Sequence, residues 1–200
     1  MTSVGSRSAG STIEYDRRPR ASRSKGRISP SVFQMFKLRA MQVRDIPAVM
    51  SIQEESYAPE VLEAEAVICN RLAVCPQLAW VAEDEHGVCA YLFAYHSRVG
   101  NVTPLDGAFL QHAQADCLYV HDLAVARRAS GRGIGPALVR KNLEQARSQR
   151  LRYSALVSVQ DSEAFWSRLG YAAHTELEPP QAHNLASYQT AAVYMVRPLH

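Results

Sequence analysis

The stretch that decides the fold lies at residues 123–136 and reads LAVARRASGRGIGP. An apolar strand ends at Val125, a short turn follows, and a helix begins at Gly133. Gly131, Gly133 and Gly135 let the backbone approach a ligand closely, and the N–H groups at the start of the helix point toward that ligand with the positive end of the helix dipole. The pattern predicts a cradle for an anion such as a pyrophosphate.

Two other phosphate-binding loops fit this segment poorly. It contains no Gly-Lys-Ser/Thr sequence for a nucleoside triphosphate, and its glycines are spaced as GxGxG instead of the GxGxxG of dinucleotide-binding folds. A glycine turn can also merely connect a strand to a helix. The strand before this turn and the helix after it favour the anion cradle.

On both sides of the turn, apolar periodicity predicts one α/β domain with the order βααβββαβαββ. The expected strands are 36–41, 78–82, 88–95, 117–125, 151–159, 171–175 and 186–196. The expected helices are one capped by Asp45, then 61–74, 133–150 and 162–169. Residues 83–87 have the composition of a hairpin turn, and residues 98–114 and 176–186 are expected to be loops.

The glycine turn resembles that of the GNAT superfamily of acetyl-CoA-dependent N-acetyltransferases. The family signature is a strand ending in Val, a short turn and then Arg/Gln-x-x-Gly-x-Gly/Ala, a frame that residues 130–135 occupy. Residues 162–171, SEAFWSRLGY, also resemble the later family helix, which typically ends in Leu-Gly-Phe. The resemblance covers roughly residues 36–197. It implies an α/β (α+β) fold whose mostly antiparallel central sheet is splayed near Val125 and flanked by helices.

By this resemblance the chain is expected to bind acetyl-CoA as a co-substrate and to transfer its acetyl group directly to a primary amine. The strand would offer backbone groups of Leu123, Ala124 and Val125 to the pantetheine arm, and Ser162 could touch that arm. The residues expected to hold the pyrophosphate are Ser130, Gly131, Arg132, Gly133, Ile134, Gly135 and Pro136. Ser130 stands where arginine or glutamine is typical, so the missing charge would come from Arg128 or Arg132.

Trp166 is a second departure from the family pattern. Many members carry at this position a tyrosine proposed to protonate the leaving thiolate, and an indole N–H is not an acid. The general acid is therefore unassigned, with Tyr171 and Tyr194 as candidates that are also typical packed aromatics. An alternative to an enzyme is a non-catalytic acyl-CoA-binding or sensing module of the same fold.

A base near the cleft is useful because an amine must be deprotonated to attack a thioester. The catalytic candidates are His121, Asp122 and Tyr119, all in the strand 117–125. Side chains alternate along a strand, which predicts Tyr119 and His121 on one face and Asp122 on the other. The resemblance implies a base on the face of Tyr119 and His121, and histidine ionises near neutral pH. The choice between His121 and Asp122 stays open.

Charge is concentrated at the N-terminus. Residues 1–30 hold seven Lys and Arg against two acidic residues, a balance of +5, whereas the whole chain is +3 and the remainder is therefore −2. We expect residues 1–31 to be a disordered basic leader and residues 32–200 to be the N-acetyltransferase domain. The acidic body makes nucleic acid an unlikely partner, although a tail that tethers the enzyme to RNA or protein is a rival interpretation.

The cysteines Cys69, Cys75, Cys89 and Cys117 lack CxxC spacing, so we expect no metal site, no disulfide framework and a reducing compartment, the cytoplasm. No stretch approaches the ~18 apolar residues of a membrane span. Loops 98–114 and 176–186 would shape the acceptor site, where Glu176 and Glu178 hint weakly at a cationic amine. A small-molecule amine is favoured, and a protein amine and a homodimer are left open.

Overall fold

The computed structural model describes residues 36–110, 112–188 and 191–200. The basic leader expected over residues 1–31 lies outside the described residues. The domain expected over residues 32–200 is described from Phe36 onward.

Among the described residues, a seven-stranded sheet forms the centre of the domain, and five α-helices accompany it. The strands are β1 (Lys37–Ala40), β2 (Ala79–Asp84), β3 (Gly87–Ser97), β4 (Cys117–Val125), β5 (Tyr153–Ser158), β6 (Ala172–Ala173) and β7 (Val193–Pro198). The helices are α1 (Ile46–Ser56), α2 (Glu65–Val74), α3 (Ile134–Ser148), α4 (Glu163–Arg168) and α5 (Pro179–Ala186).

The sheet has the order β1-β2-β3-β4-β5-β7-β6. Neighbouring strands run antiparallel except β4 and β5, which are parallel. The apolar runs of β3 and β4 lie at the centre, where α1 and α3 both pack against them. This architecture confirms the expected α/β fold with a mostly antiparallel sheet flanked by helices.

β4 separates from β5 part-way along its length. The two strands pair only from Cys117 with Tyr153 to Tyr119 with Ala155. Beyond that pair β4 continues to Val125 without β5 beside it, so the splay begins at Val120, earlier than the expected position near Val125. A gap between the strands results, and its β4 wall is formed by Val120 and the residues that follow.

A bulge interrupts β4 at the start of this gap. Phe93 of β3 pairs with Asp122, whereas the next residue, Ala94, pairs with Val120, so His121 is an extra residue in the ladder. Bulges bend a strand and re-aim its side chains. The strict alternation expected for Tyr119, His121 and Asp122 therefore does not hold.

Helix α5 occupies part of the segment that was expected to be a loop. It begins at Pro179, and the last strand begins at Val193, not at residue 186 as expected. Pro179-Pro180 suggested a loop, but a proline in the first helical turn loses no hydrogen bond and presets a helical φ angle. The helix fixes one side of the loop that follows β3, because Gln181 and Asn184 bond to the backbone of Val102.

Candidate active site

A cleft of ≈ 950 Å³ follows the gap between β4 and β5. One end is lined by the glycine turn, including Gly131, Gly133 and Gly135. The other end is lined by residues of β4, of the α1–α2 connection and of the segments near α5, among them Glu63, Leu105, His121, Asp122 and Tyr188. The anion cradle and the candidate bases therefore lie in one continuous space.

The glycine turn has a backbone that other residues rarely adopt. Gly131 and Gly133 have φ angles of 76° and 75°, in the left-handed region. Gly133 caps α3. The helix therefore begins with N–H groups, at Ile134 and Gly135, that have no carbonyl one turn earlier to receive them. A bound anion can accept these hydrogen bonds, so the turn fits a pyrophosphate.

The two arginines expected to supply charge to this turn bond to Asp84 at the end of β2. Arg128 Nη1 lies 2.8 Å from both carboxylate oxygens, and Arg132 Nη1 lies 2.7 Å from Oδ2. Burial opposes ionisation of the Asp84 side chain, which is only 2% exposed, but the two arginines hold its pKa below the usual value. Asp84 thus ties the turn to the β2–β3 hairpin and partly neutralises the charge beside the cradle.

The segment expected to hold the cofactor arm lines the middle of the cleft. Leu123, Ala124 and Val125 line it together with Ser162, whose hydroxyl lies 2.9 Å from that of Ser158. The carbonyl oxygen of Leu123 lies 3.0 Å from the Tyr57 hydroxyl, whose single proton is shared between this carbonyl and Asp122. The rest of this edge of β4 has no pairing with β5.

His121 lies in a buried group of charged side chains. Its ring is 4% exposed, and Nε2 is 3.6 Å from Oε1 of Glu63. Both Glu63 oxygens accept hydrogen bonds from Arg71, which is fully buried. A carboxylate beside Nε2 favours the tautomer with its proton on Nε2. Nδ1 then carries the lone pair, and it has no hydrogen-bond partner among the described residues.

The Glu63 backbone is held as firmly as its side chain. Its N–H donates to the Gln53 side chain at 2.8 Å, and its carbonyl accepts from the same amide at 3.1 Å. Burial raises the pKa of the Glu63 carboxyl, but the nearby His121 ring and the hydrogen bonds from Arg71 outweigh burial and lower the pKa to about 2. Glu63 is therefore a fixed carboxylate at neutral pH.

Asp122 points to the same side of the sheet as His121, contrary to the expected opposite faces. Its two oxygens accept hydrogen bonds from the hydroxyls of Tyr57 and Tyr91, the second at 2.6 Å. Burial and the nearby charge of Glu63 raise the pKa of Asp122 above its usual value. The bulge at His121 is the reason that neighbouring side chains share this site.

The tyrosines considered as acids or catalytic groups do not line the cleft. Tyr119 is fully buried against Tyr95, with ring centroids 5.1 Å apart. Tyr171 bonds to Ser154 at 2.7 Å, and Tyr194 accepts from a backbone N–H at 2.9 Å. Burial raises the pKa of all three hydroxyls. Trp166 does line the cleft, and its ring packs edge-on against the rings of Phe165 and Tyr171.

In the part of the chain that the structure describes, no helix has the length and apolar composition that a membrane span requires. The same residues hold no group of three or more His, Cys, Asp or Glu side chains suited to a metal ion.

The sequence frame of the glycine turn and the geometry of the cleft agree with a family comparison. The family model described as "Acetyltransferase (GNAT) family" matches residues 46–171. The chain belongs to the GNAT acetyltransferase family. Among curated proteins, none matches it.

Solved structures share the fold of this GNAT domain at low sequence identity. The "GphF GNAT-like decarboxylase in complex with isobutyryl-CoA" is 13% identical, with a TM-score of 0.67 over 82% of this chain and 100% of that one. Ard1 from Thermoplasma volcanium is 18% identical, with a TM-score of 0.62 over 82% and 98%. The ribosomal-protein-S18-alanine N-acetyltransferase from Escherichia coli is 14% identical, with a TM-score of 0.58 over 82% and 94%.

The first prediction tests the anion cradle of this GNAT domain. Gly133→Glu places a carboxylate where a pyrophosphate would lie, so calorimetric titration should show no acetyl-CoA binding. Gly133→Ala is the matched control, because it imposes the same strain at φ 75° without the charge. It should bind acetyl-CoA much more tightly than Gly133→Glu. If folded Gly133→Glu binds acetyl-CoA as tightly as Gly133→Ala does, the turn merely connects β4 to α3 and does not bind the pyrophosphate.

The second prediction concerns the buried carboxylate Glu63. Its lowered pKa contributes stability that is complete above the ordinary value of 4.5 and is lost as the pH falls toward 2. Glu63→Gln leaves Arg71 buried without its partner, so the free energy of unfolding at pH 7 should fall by about 3–5 kcal/mol. Denaturant unfolding at several pH values should show this difference shrinking below about pH 4.5.

The exposed Glu65, two residues further on, provides the control. Glu65→Gln should change the free energy of unfolding by less than about 0.5 kcal/mol at every pH. A Glu63→Gln variant as stable as the parent at pH 7 would show that the Glu63–Arg71 pair is not a structural ion pair.

Proposed function

We propose that this GNAT domain is an N-acetyltransferase that transfers the acetyl group of acetyl-CoA directly to the primary amine of a small molecule. The observation that carries the proposal is the continuous cleft that joins the glycine turn to His121. One end offers backbone N–H groups to a pyrophosphate, and the other offers a nitrogen base in a buried, charged surrounding. Direct transfer needs both substrates in one such space.

The proposed reaction is one displacement at the thioester carbonyl. The amine nitrogen attacks the carbonyl carbon, a C–N bond forms, and the C–S bond breaks with its electron pair leaving on sulfur. The nitrogen loses one proton to Nδ1 of His121, directly or through one water, and the thiolate regains a proton from solvent. Backbone N–H groups of β4 beyond Tyr119 are suited to stabilise charge on the carbonyl oxygen because β5 no longer faces them.

His121 suits the role of base better than Asp122 does. Nδ1 of His121 has no partner among the described residues, whereas both oxygens of Asp122 already accept hydrogen bonds from tyrosines. Glu63 beside Nε2 stabilises the imidazolium that forms when Nδ1 takes a proton. Asp122 is then a group that orders Tyr57 and Tyr91.

Trp166 in place of a tyrosine is compatible with turnover. A free thiol has a pKa of roughly 8.5, so a thiolate can leave near neutral pH and be protonated by water. Tyr57 is a poor substitute acid because burial and Asp122 raise the pKa of its hydroxyl well above the usual value. The proposed reaction therefore uses no general acid from the protein.

The same tryptophan supports a second candidate, an acyl-CoA-binding or sensing module without turnover. The two candidates differ in one observable, the release of free CoA thiol in the presence of an amine. One structural neighbour is described as a decarboxylase in complex with isobutyryl-CoA. Decarboxylation leaves the thioester intact, so amine-dependent release of CoA thiol also distinguishes the proposed transferase from an enzyme of that kind.

The third prediction distinguishes the two candidate bases. His121→Gln keeps the side-chain size but removes the basic nitrogen, so kcat should fall by a factor of ~10² to 10⁴ and the acidic limb of the pH–rate profile should disappear. The affinity for acetyl-CoA should stay the same. Asp122→Asn keeps a hydrogen-bonding side chain between the two tyrosines and should retain the acidic limb.

The pair of pH–rate profiles decides the assignment. If Asp122→Asn loses the acidic limb while His121→Gln keeps it, Asp122 is the base and the assignment above is wrong. If neither folded variant differs from the parent, the amine is deprotonated outside the protein.

A further inference from the structure

The segment that follows β3, residues 98–110, which we call the acceptor-end loop, contributes Leu105 to the lining of the cleft, which also includes Tyr188. Four hydrogen bonds tie the loop to α5 and to the residues just after it. They are Val102 N–H to Gln181 at 2.7 Å, Asn184 to the Val102 carbonyl at 2.9 Å, Leu105 N–H to Ser187 at 2.9 Å and the Tyr188 hydroxyl to the Thr103 carbonyl at 3.0 Å.

The opposite side of the acceptor-end loop is tied to the buried charged group. The Asp106 N–H donates to Oε1 of Glu63, and Arg71 donates to the Gly107 carbonyl, both at 3.3 Å. The ring of Phe109 lies 4.9 Å from the Arg71 guanidinium carbon and 5.1 Å from the His121 ring. The loop is therefore held on both sides and forms a fixed wall next to His121.

The lining of the cleft combines apolar, polar and acidic side chains. The apolar and aromatic groups away from the glycine turn include Val61, Leu105, Tyr57 and Tyr188, and Gln53 and Ser56 add polar groups. The lining carboxylates are Glu55, Glu63 and Asp122. This combination suits an amine attached to an apolar body, because the amine nitrogen can lie near the carboxylates while the body is buried.

Among the described residues, two arginines could meet a substrate carboxylate, and the protein engages both. Arg71 is fully buried and contacts Glu63, the Gly107 carbonyl and the face of Phe109. Arg127 lines the cleft just past β4, where its Nε donates to the Glu55 carbonyl at 3.0 Å. The α-carboxylate of an amino acid at the acceptor end would be buried near the carboxylates of Glu63 and Asp122, which repel it. This burial of a third negative charge is unfavourable.

We infer that the acceptor is a compact primary amine with an apolar body and no carboxylate, and that Leu105 is a residue that determines this specificity. The inference rests on the proposed acetyl transfer and deepens it by naming the class of amine. Free amino acids are disfavoured by their charge. Peptide N-termini are disfavoured because the chain beyond the first residue meets the anchored acceptor-end loop.

The fourth prediction is a specificity series at fixed acetyl-CoA, measured as kcat/KM from the release of CoA thiol. 2-Phenylethylamine and 3-methylbutylamine should be good acceptors. Phenylalanine equals 2-phenylethylamine plus a carboxylate, and its kcat/KM should be lower by ~10- to 10²-fold or more. Phenylalaninamide has the same size without the charge and should lie between them. A peptide that begins with phenylalanine should be as poor as the free amino acid.

A matched pair of loop variants tests the role of Leu105. Leu105→Asp places a carboxylate in the apolar wall and should lower kcat/KM for 2-phenylethylamine by ~10- to 10²-fold, with KM for acetyl-CoA unchanged. Leu110→Asp makes the same change five residues later, at a side chain that is 69% exposed, and should behave as the parent. Melting temperatures of both variants show whether the fold is retained.

The outcomes distinguish a failure of the inferred class of amine from a failure of the proposed transferase function. If phenylalanine or the peptide equals or exceeds 2-phenylethylamine, acetyl transfer stands and the inferred class of amine is overturned. The role of Leu105 is overturned if folded Leu105→Asp keeps the parental kcat/KM. If acetyl-CoA binds but no amine of the series is acetylated, the proposed transferase function fails, and the inference fails with it.

Discussion

Beyond the pair formed by Tyr119 and Ala155, β4 and β5 share no ladder, and buried backbone N–H and C=O groups on β4 need other partners. This loss of pairing opens the cleft, and the other parts of the site are arranged around it. The glycine turn lies just past the end of β4, and the bulge at His121 lies where the strands part. A substrate that spans the gap would satisfy the strand and the helix N-terminus together, which accounts for one continuous site.

The buried charges show how the opposite end of the cleft is kept in shape. Placing Glu63 and Arg71 in the interior has a desolvation cost that their mutual hydrogen bonds only offset. Their partners, however, come from α1, from β4 and from the acceptor-end loop. The ion pair thus joins three separate segments around His121. Asp84 has the same role at the glycine turn, where it joins the β2–β3 hairpin to Arg128 and Arg132.

The sequence alone predicted those elements whose structure depends on residues close together in the chain. The glycine turn, the strand before it and the helix after it follow from glycine spacing and apolar periodicity over a few residues. The bulge at His121 depends on the register with β3, which one strand's own pattern does not contain. Glu63 and Arg71 meet only in the folded chain, although an arginine on the buried face of α2, between Ile68 and Leu72, is a signal that periodicity analysis could have raised. Helix α5 was missed because a proline pair is read as a loop unless its place in a first turn is recognised.

Amide hydrogen exchange measured by NMR, with and without acetyl-CoA, tests most directly whether the gap between β4 and β5 is the binding site. The N–H groups of Ile134 and Gly135 and of β4 beyond Tyr119 should exchange more slowly when acetyl-CoA is present. Exchange in β1, at the far edge of the sheet, should not change. Protection confined to other segments, with β4 and the start of α3 unaffected, would show that acetyl-CoA binds elsewhere.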